Sequence, residues 1–380
     1  MITRVMIGIE LESTRPQSRA RCLDAPGGCN SIEVEPMNPF HEIPKCDLDS
    51  HSLKEELGSR GYALIRDLIP QTEIKHVLGD VTEILYDAGW LLPGHDPIEH
   101  MANNSVACGD PDPDFKRTYR EVFNLESFHA LPHHPSLMDV MKMLVGEQVL
   151  VHPKPIGRLI FPNCDSLRVH AHQDYRFMSG DAECFTVWIP LHDCPTDLGP
   201  LQILEGSHRF GVIGHEDQNL HVPEIPTGAL TEGDWASGQI NAGDVLIFHS
   251  LTVHAASANH SQQLRISMDC RFQSYERAIH PANLAFSGES GKSWEAMYAG
   301  WRSDELKYYW KGMPLKLQPS KSEIEQLSKT AEPASTRARY ARILSQINLC
   351  VEQADSGLSS CVLESPHVDE RGMHGRVISA

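Results

Sequence analysis

Several things are missing from this sequence. Its ten cysteines include no C-x-x-C pair, which argues against a zinc ribbon and against a disulfide-stapled secreted scaffold, so the thiols are expected to be reduced. Positive charge is scarce: 51 Asp and Glu stand against 33 Lys and Arg, a formal charge of −18. Such a balance repels phosphate backbones and anionic lipid, and disfavours general nucleic-acid or membrane-surface binding. Long apolar runs are missing too. The longest uncharged stretch, Val245 to Leu264, is interrupted by His, Ser, Thr, Asn and Gln, which hydrocarbon does not tolerate. With no apolar leader segment, lipidation box or peroxisomal tripeptide visible, a cytoplasmic enzyme is the expectation.

What is present suits a folded chain: 380 residues, 41% of them hydrophobic and 22% charged, enough to bury a core of ordinary size. Residues 1–46 mix Pro, Gly, Cys and charge without periodicity and read as an irregular arm. A main domain is expected over 47–320. It opens with a strand-like run, Gly61-Tyr-Ala-Leu-Ile-Arg66, and a helix carrying Ile74, Val77, Leu78, Val81, Ile84 and Leu85 on one face. A second helix is expected after Ser136-x-x-Asp139, with its stop at Gly146. From about Val149 to Gln273 the texture changes to short β-prone runs broken by Gly, Pro, Asn and Asp, as in an antiparallel sandwich or barrel. The aromatics between Trp294 and Trp310 read as a helix packed on the sheet, and residues 321–380 as a charged, helical extension able to dock on the core or on a second subunit.

The clearest strand is Leu264 to Phe272. Its even-numbered residues are apolar and its odd-numbered ones, Arg265, Ser267, Asp269 and Arg271, polar. A polar face inside a β-domain is costly unless it lines a cavity for a polar ligand. Upstream, Val169-His-Ala-His-Gln-Asp-Tyr175 sets His172 and Asp174 two residues apart, on one face if the segment is a strand, with His170 on that face as well. Alone this spacing is weak among 21 histidines. It gains weight from Gly243-Asp-Val-Leu-Ile-Phe-His-Ser-Leu-Thr-Val-His254, followed after eleven residues by Arg265. Two imidazoles and one carboxylate form a facial triad that leaves positions for a chelating cosubstrate and O₂ on non-haem Fe(II). A forked guanidinium would offset the burial of a dicarboxylate's far end, with Ser267 adding a third bond.

The sequence resembles the phytanoyl-CoA dioxygenase-like branch of the Fe(II)/2-oxoglutarate-dependent oxygenases. The likeness runs from about Gly61 to Phe272 and takes in His133-His-Pro-Ser-Leu-Met-Asp139, His172-Gln-Asp174, Thr186-Val-Trp-Ile-Pro-Leu191, Leu198-Gly-Pro-Leu-Gln202, Gly206-Ser-His-Arg209, Gly243-Asp244, His254, Asn259 and Arg265. It implies a mainly β fold with flanking helices, built on a double-stranded β-helix of the jelly-roll or cupin-like kind. It assigns His172, Asp174 and His254 to iron, Arg265 to the far carboxylate of 2-oxoglutarate, and Trp188 to a place beside the cosubstrate; Ser267 and Arg158 are further candidates there. The expected reaction is hydroxylation of an unactivated C–H, with release of succinate and CO₂.

Other readings were open. His170 becomes a ligand if the register shifts by two, whereas His249 and His260 read as structural and Gly206-Ser-His-Arg209 as a turn. A radical halogenase is disfavoured because Asp174 is present. A non-oxygenase cupin-type metal enzyme leaves Arg265 unexplained, and a silent binding scaffold leaves the whole polar set unexplained. Tyr175, Arg176 and Phe177 are expected near the pocket mouth. The acidic balance disfavours an acyl-CoA, so the expected substrate is a free small molecule such as a natural-product intermediate or amino-acid derivative. A homo-oligomer formed through the C-terminal extension is a further expectation.

Overall fold

The structure, a computed structural model, describes residues 37–164, 168–213, 235–286 and 293–351, the last four by backbone alone. Most of the expected arm therefore lies outside the described residues. Two short strands, β1 (Asn38–Pro39) and β2 (Glu42–Ile43), precede α1 (Ser50–Arg60), β3 (Tyr62–Ile65), α2 (Gln71–Asp87), α3 (Pro113–Phe123), α4 (Glu126–Ala130) and α5 (Pro135–Val145). The strand-rich half runs β4 (Val149–Val151), β5 (Ile156–Ile160), the helical turn α6 (Tyr175–Met178), β6 (Cys184–Pro190), β7 (Leu201–Leu204), β8 (Trp235–Ser237), β9 (Val245–His249), β10 (His254–Ala256) and β11 (Arg265–Ser274). Beyond it come β12 (Ala278–Ile279), α7 (Trp294–Tyr298), β13 (Lys316–Leu317), α8 (Lys321–Thr330) and α9 (Ala334–Val351).

The major sheet has the order β2-β3-β9-β6-β11-β4, with β5 paired to β11 beside β4; the minor sheet has the order β1-β8-β7-β10. Sheet neighbours are distant in sequence: β9 lies between β3 and β6, and β6 between β9 and β11, all antiparallel. Two facing sheets with such crossovers form the double-stranded β-helix expected from the resemblance.

Period-two alternation decides what each face meets. Ala63 and Ile65, Val187 and Ile189, Val245 and Ile247, and Ile266, Met268, Cys270 and Phe272 all join the core beneath the helices. Their neighbours Tyr62, Leu64, Trp188, Leu246 and Phe248 turn inward to meet Leu201, Ile203, Ala236 and Ala256 of the minor sheet. Along β11 the inward set is instead Arg265, Ser267, Asp269, Arg271 and Gln273, every one buried. The space between the sheets is thus apolar on one side and ionic on the other.

The helices follow local rules. Of the stripe expected in α2, Ile74, Val77, Leu78, Val81 and Leu85 are buried and Ile84 is half-buried, each fully buried side chain contributing roughly 1.5–3 kcal/mol relative to exposure. The stop of α5 is Gly146, but its cap is His134, whose side chain accepts from the N–H of Ser136; the expected Ser136 cap is corrected by one turn's start. The sequence reading missed α1, α3 and α4. Helices α1 and α3 bury only two residues each, Leu53 and Leu57, and Thr118 and Val122, too few for a visible stripe. Gly61 ends α1 at a φ of 82°, and a Cβ there would stand 2.7 Å from Thr252 Oγ1, so only glycine fits.

The aromatic segment is mostly turns rather than the long helix expected. Trp294, Tyr298, Trp301 and Trp310 pack with Leu150, Ile279 and Leu284 at the sheet's β4 edge. Beyond it, Ile324 of α8 and Ile343 and Ile347 of α9 are buried around Ala285, with Tyr340 and Leu344 against them. No helix of the described residues is long and apolar enough to cross a membrane.

Candidate active site

His172 and His254 come together through their backbones. Each donates its N–H to the other's carbonyl at 3.0 Å, and the ring centroids lie 4.2 Å apart. The segment is not the regular strand expected from the spacing: His172 forms one isolated bridge, and Asp174 opens the helical turn α6. The turn, rather than strand alternation, swings the carboxylate back toward the imidazoles. The ligand-type atoms of His172, Asp174 and His254 all lie within 4.8 Å of one another, and all three residues are buried.

Both imidazoles have fixed tautomers. Nδ1 of His172 meets the His170 carbonyl at 2.8 Å and Nδ1 of His254 meets that of Thr252 at 3.1 Å, so each Nδ1 carries the proton and Nε2 is left as a lone-pair donor. Those Nε2 atoms face Asp174 Oδ1 at 3.6 and 3.9 Å. Burial, reinforced by the His172 imidazole beside it, holds the His254 imidazole down at about 4. Burial alone would raise the Asp174 carboxyl, but the positive charge of Arg271 and the two imidazoles beside it outweigh that and hold it well below the usual carboxylate range. Near neutral pH, Asp174 is therefore charged and His254 neutral, the states a divalent cation requires.

Two residues missed from the sequence hold Asp174. Thr186 donates its hydroxyl to Oδ2 at 2.5 Å, and Arg271 Nη2 reaches Oδ1 at 3.3 Å. Arg271 lies on the β11 face already read as polar, Thr186 on the neighbouring strand β6, and the register pairing the two brings them together. Gln173, between the two ligand-type residues, was also missed. It is fully buried, donates to the carbonyls of Gly211 and Leu251, and accepts from the N–H of Ile213, which ties the triad's turn to its neighbours.

Beside the triad, a narrow cleft is lined by His172, His254, Arg158, Trp188, Arg265 and Asp269, with Val169 and Leu201 as its apolar side. Arg265 is 1% exposed. Its Nη1 donates to the carbonyl of Gly199, a glycine at φ +80° whose Cβ would lie 2.6 Å from the Ser257 carbonyl. Its Nε is buried without a hydrogen-bond partner, as are Ser267 Oγ and Trp188 Nε1. Arg158 Nε, by contrast, is paired with Asp269 Oδ2 at 2.7 Å. A buried guanidinium bonded only to a carbonyl, near further unmatched donors, fits an anion with several acceptor oxygens.

The remaining candidates separate. His170 contributes its carbonyl rather than its ring to the triad. His249 accepts from the N–H of Leu251 and faces Glu183, and His260 donates its N–H to Asp197. Ser207 of Gly206-Ser-His-Arg209 closes a turn on Leu204 and accepts from the N–H of Val253, next to His254. Of the residues expected at the mouth, Phe177 sets its ring edge on His172 at 5.6 Å and is 50% exposed. Tyr175 is half-buried and directs its hydroxyl to the Gly180 carbonyl. Arg176 is exposed to solvent.

Comparison with known proteins agrees with the architecture. The family model described as Phytanoyl-CoA dioxygenase (PhyH) matches residues 58–267, more than half of the chain. The chain belongs to this family and is a 2-oxoglutarate-dependent oxygenase. A relative, 1-deoxypentalenic acid 11-beta-hydroxylase of Streptomyces exfoliatus, is 26% identical over 208 residues, covering 46% of this chain and 71% of the relative. A probable phytanoyl-CoA dioxygenase of Caenorhabditis elegans is 22% identical over 235 residues, covering 56% and 71%. Among solved structures, the epimerase SnoN in complex with Fe3+, alpha ketoglutarate and nogalamycin RO is 20% identical and covers 64% of this chain and 92% of its own, at a TM-score of 0.44.

Proposed function

We propose that this chain is an Fe(II)/2-oxoglutarate-dependent dioxygenase that hydroxylates an unactivated C–H of a small molecule, releasing succinate and CO₂. The observation that carries the reading is the buried His172–Asp174–His254 triad, whose two imidazoles line one cleft with a guanidinium that has no ion-pair partner among the described residues. Ferrous iron with 2-oxoglutarate and O₂ supplies the oxidation; the protein supplies ligands, orientation and exclusion of water.

His172 and His254 would hold the metal through Nε2, their rings locked by the Nδ1–H bonds. Asp174 would serve through Oδ1 while Thr186 occupies Oδ2, a division that favours monodentate binding and leaves positions for a chelating cosubstrate. Arg265 would take the far carboxylate of 2-oxoglutarate, with Ser267 and Trp188 satisfying its remaining oxygens and Arg158, already paired with Asp269, bordering it. Phe177 would lay an apolar surface beside the metal imidazole and place a substrate carbon there. A free small molecule, such as a natural-product intermediate or amino-acid derivative, suits an acidic protein better than a phosphate-bearing acyl-CoA. The hydroxylase relative supports this choice.

The test is anaerobic titration with Fe(II) and 2-oxoglutarate, followed in air by a screen of small molecules for stimulated succinate release. Wild-type protein should bind both, and Asp174→Ala should lose metal and turnover together. A normal rate of succinate formation in that variant would remove the triad from the mechanism.

A further inference from the structure

We propose that Arg271 seats an anionic group of the substrate, so that the substrates are apolar carboxylic acids bound as carboxylates. This rests on the Fe(II)/2-oxoglutarate reading of the same site and adds the substrate's chemical class to it.

Three buried or half-buried cations and two buried carboxylates lie along this inner face, Arg158, Arg265 and Arg271 with Asp174 and Asp269. Arg158 and Asp269 neutralise each other at 2.7 Å. Arg265 is matched once the cosubstrate's far carboxylate is bound. Asp174 is the carboxylate of the triad, and the oxygen that Arg271 approaches at 3.3 Å, Oδ1, is the one both imidazole Nε2 atoms face. When a dication takes that oxygen, Arg271 keeps its charge, loses most of its counter-charge and is repelled by the metal. Its Nε is already buried without a partner, while 9% of its side-chain surface stays open. A carboxylate drawn up to the guanidinium would supply two charge-assisted bonds and restore neutrality.

Placement separates this role from that of Arg265. The two residues lie six positions apart on one face of β11, roughly 20 Å along the strand at 3.3 Å per residue. Arg265 lines the cleft with the imidazoles, whereas Arg271 meets Asp174 beside Thr186. One small dicarboxylate cannot span from Arg265 to the metal and also bond the unpartnered Nε of Arg271. Phe177, half exposed with its edge on His172, supplies the apolar wall for the rest of such a molecule.

The experiment uses the full chain loaded anaerobically with Fe(II) and 2-oxoglutarate, and reads the charge-transfer absorption of that complex. Cyclohexanecarboxylate and decanoate are titrated beside their neutral carboxamides. In the wild type each acid should perturb the band with a half-saturation about tenfold or more below that of its amide, and in Arg271→Gln that ratio should fall to about one. Because the ratio is taken within one variant, a change in metal occupancy does not move it. If Arg271→Gln fails to fold, Arg271→Lys carries the test, with a ratio lowered but above one, since a lysine keeps the charge and loses the fork.

Equal effects of acid and amide in the wild type, or no effect of any acid at roughly 50 mM, would overturn the proposal, since a built carboxylate seat should fill by then. So would a persisting ratio in Arg271→Gln with a raised requirement for 2-oxoglutarate, which would assign the guanidinium to the cosubstrate. Failure to form the band in the wild type would instead sink the underlying functional reading, and this proposal with it.

Discussion

Replacing Arg265 with methionine separates binding from folding with opposite expected signs. The guanidinium is fully buried, its single hydrogen bond among the described residues goes to the Gly199 carbonyl, and its Nε is unmatched. Burial pulls it below its ordinary pKa. Two charge-assisted bonds to a carboxylate at about 1.5–3 kcal/mol each, discounted for imperfect geometry, amount to about 3–4 kcal/mol. Their loss should raise the half-saturation for 2-oxoglutarate by roughly 10²- to 10³-fold. Methionine has similar length and no charge to desolvate, so the ligand-free protein should be as stable as the wild type or more stable by about 1–4 kcal/mol. Anaerobic 2-oxoglutarate titration measures the first quantity and urea denaturation without ligands the second. Loss of about 3 kcal/mol of stability with an unchanged 2-oxoglutarate requirement would refute the reasoning, because Arg265 would then be a structural clamp on Gly199.

Thr186→Val removes the hydroxyl from Asp174 Oδ2 and should weaken metal binding by about tenfold while the fold survives; equal metal affinity by calorimetry would show that the bond does not orient the carboxylate. His170→Ala should retain metal, because only the His170 carbonyl serves the triad, and metal loss by elemental analysis would reopen the assignment of the triad. Acid should destabilise the fold through its buried imidazoles. Burial depresses His129 and His152 to about 4 and His192 to about 3. Below the ordinary value of about 6.5 the unfolded chain takes up protons that these folded imidazoles refuse, so their contribution is full above that pH and is lost as pH falls toward 4. Each costs up to about 1.4 kcal/mol per pH unit in that window. Urea midpoints should therefore drop between pH 7 and pH 5, and an unchanged midpoint would contradict the burial of these rings.

Much of the fold was legible because periodicity survives without neighbours. The stripe in α2 and the alternation in β11 are properties of one segment, and both describe what the structure buries. Helices α1 and α3 were illegible because each has only two buried residues to advertise it. In the site, His172, Asp174, His254 and Arg265 could be picked from spacing and resemblance, and the structure brings the first three together beside the cleft that holds the fourth. The geometry inferred for the first pair was not right: strand alternation was assumed where a bridge and a helical turn do the work. Thr186 and Arg271 escaped notice because their importance depends on which strand lies beside which.

Read alone, the chain determined which residues could carry chemistry and which face of β11 is polar, since residue type and a two-residue period are local facts. Only the tertiary structure decided the pairings. Antiparallel register sets Arg271 opposite Thr186 and both onto Asp174, and the two-sheet stack leaves Arg265 with no ion pair among the described residues. Electrostatic energy depends on distances between segments far apart in sequence, and those distances exist only once the sheets have closed on each other.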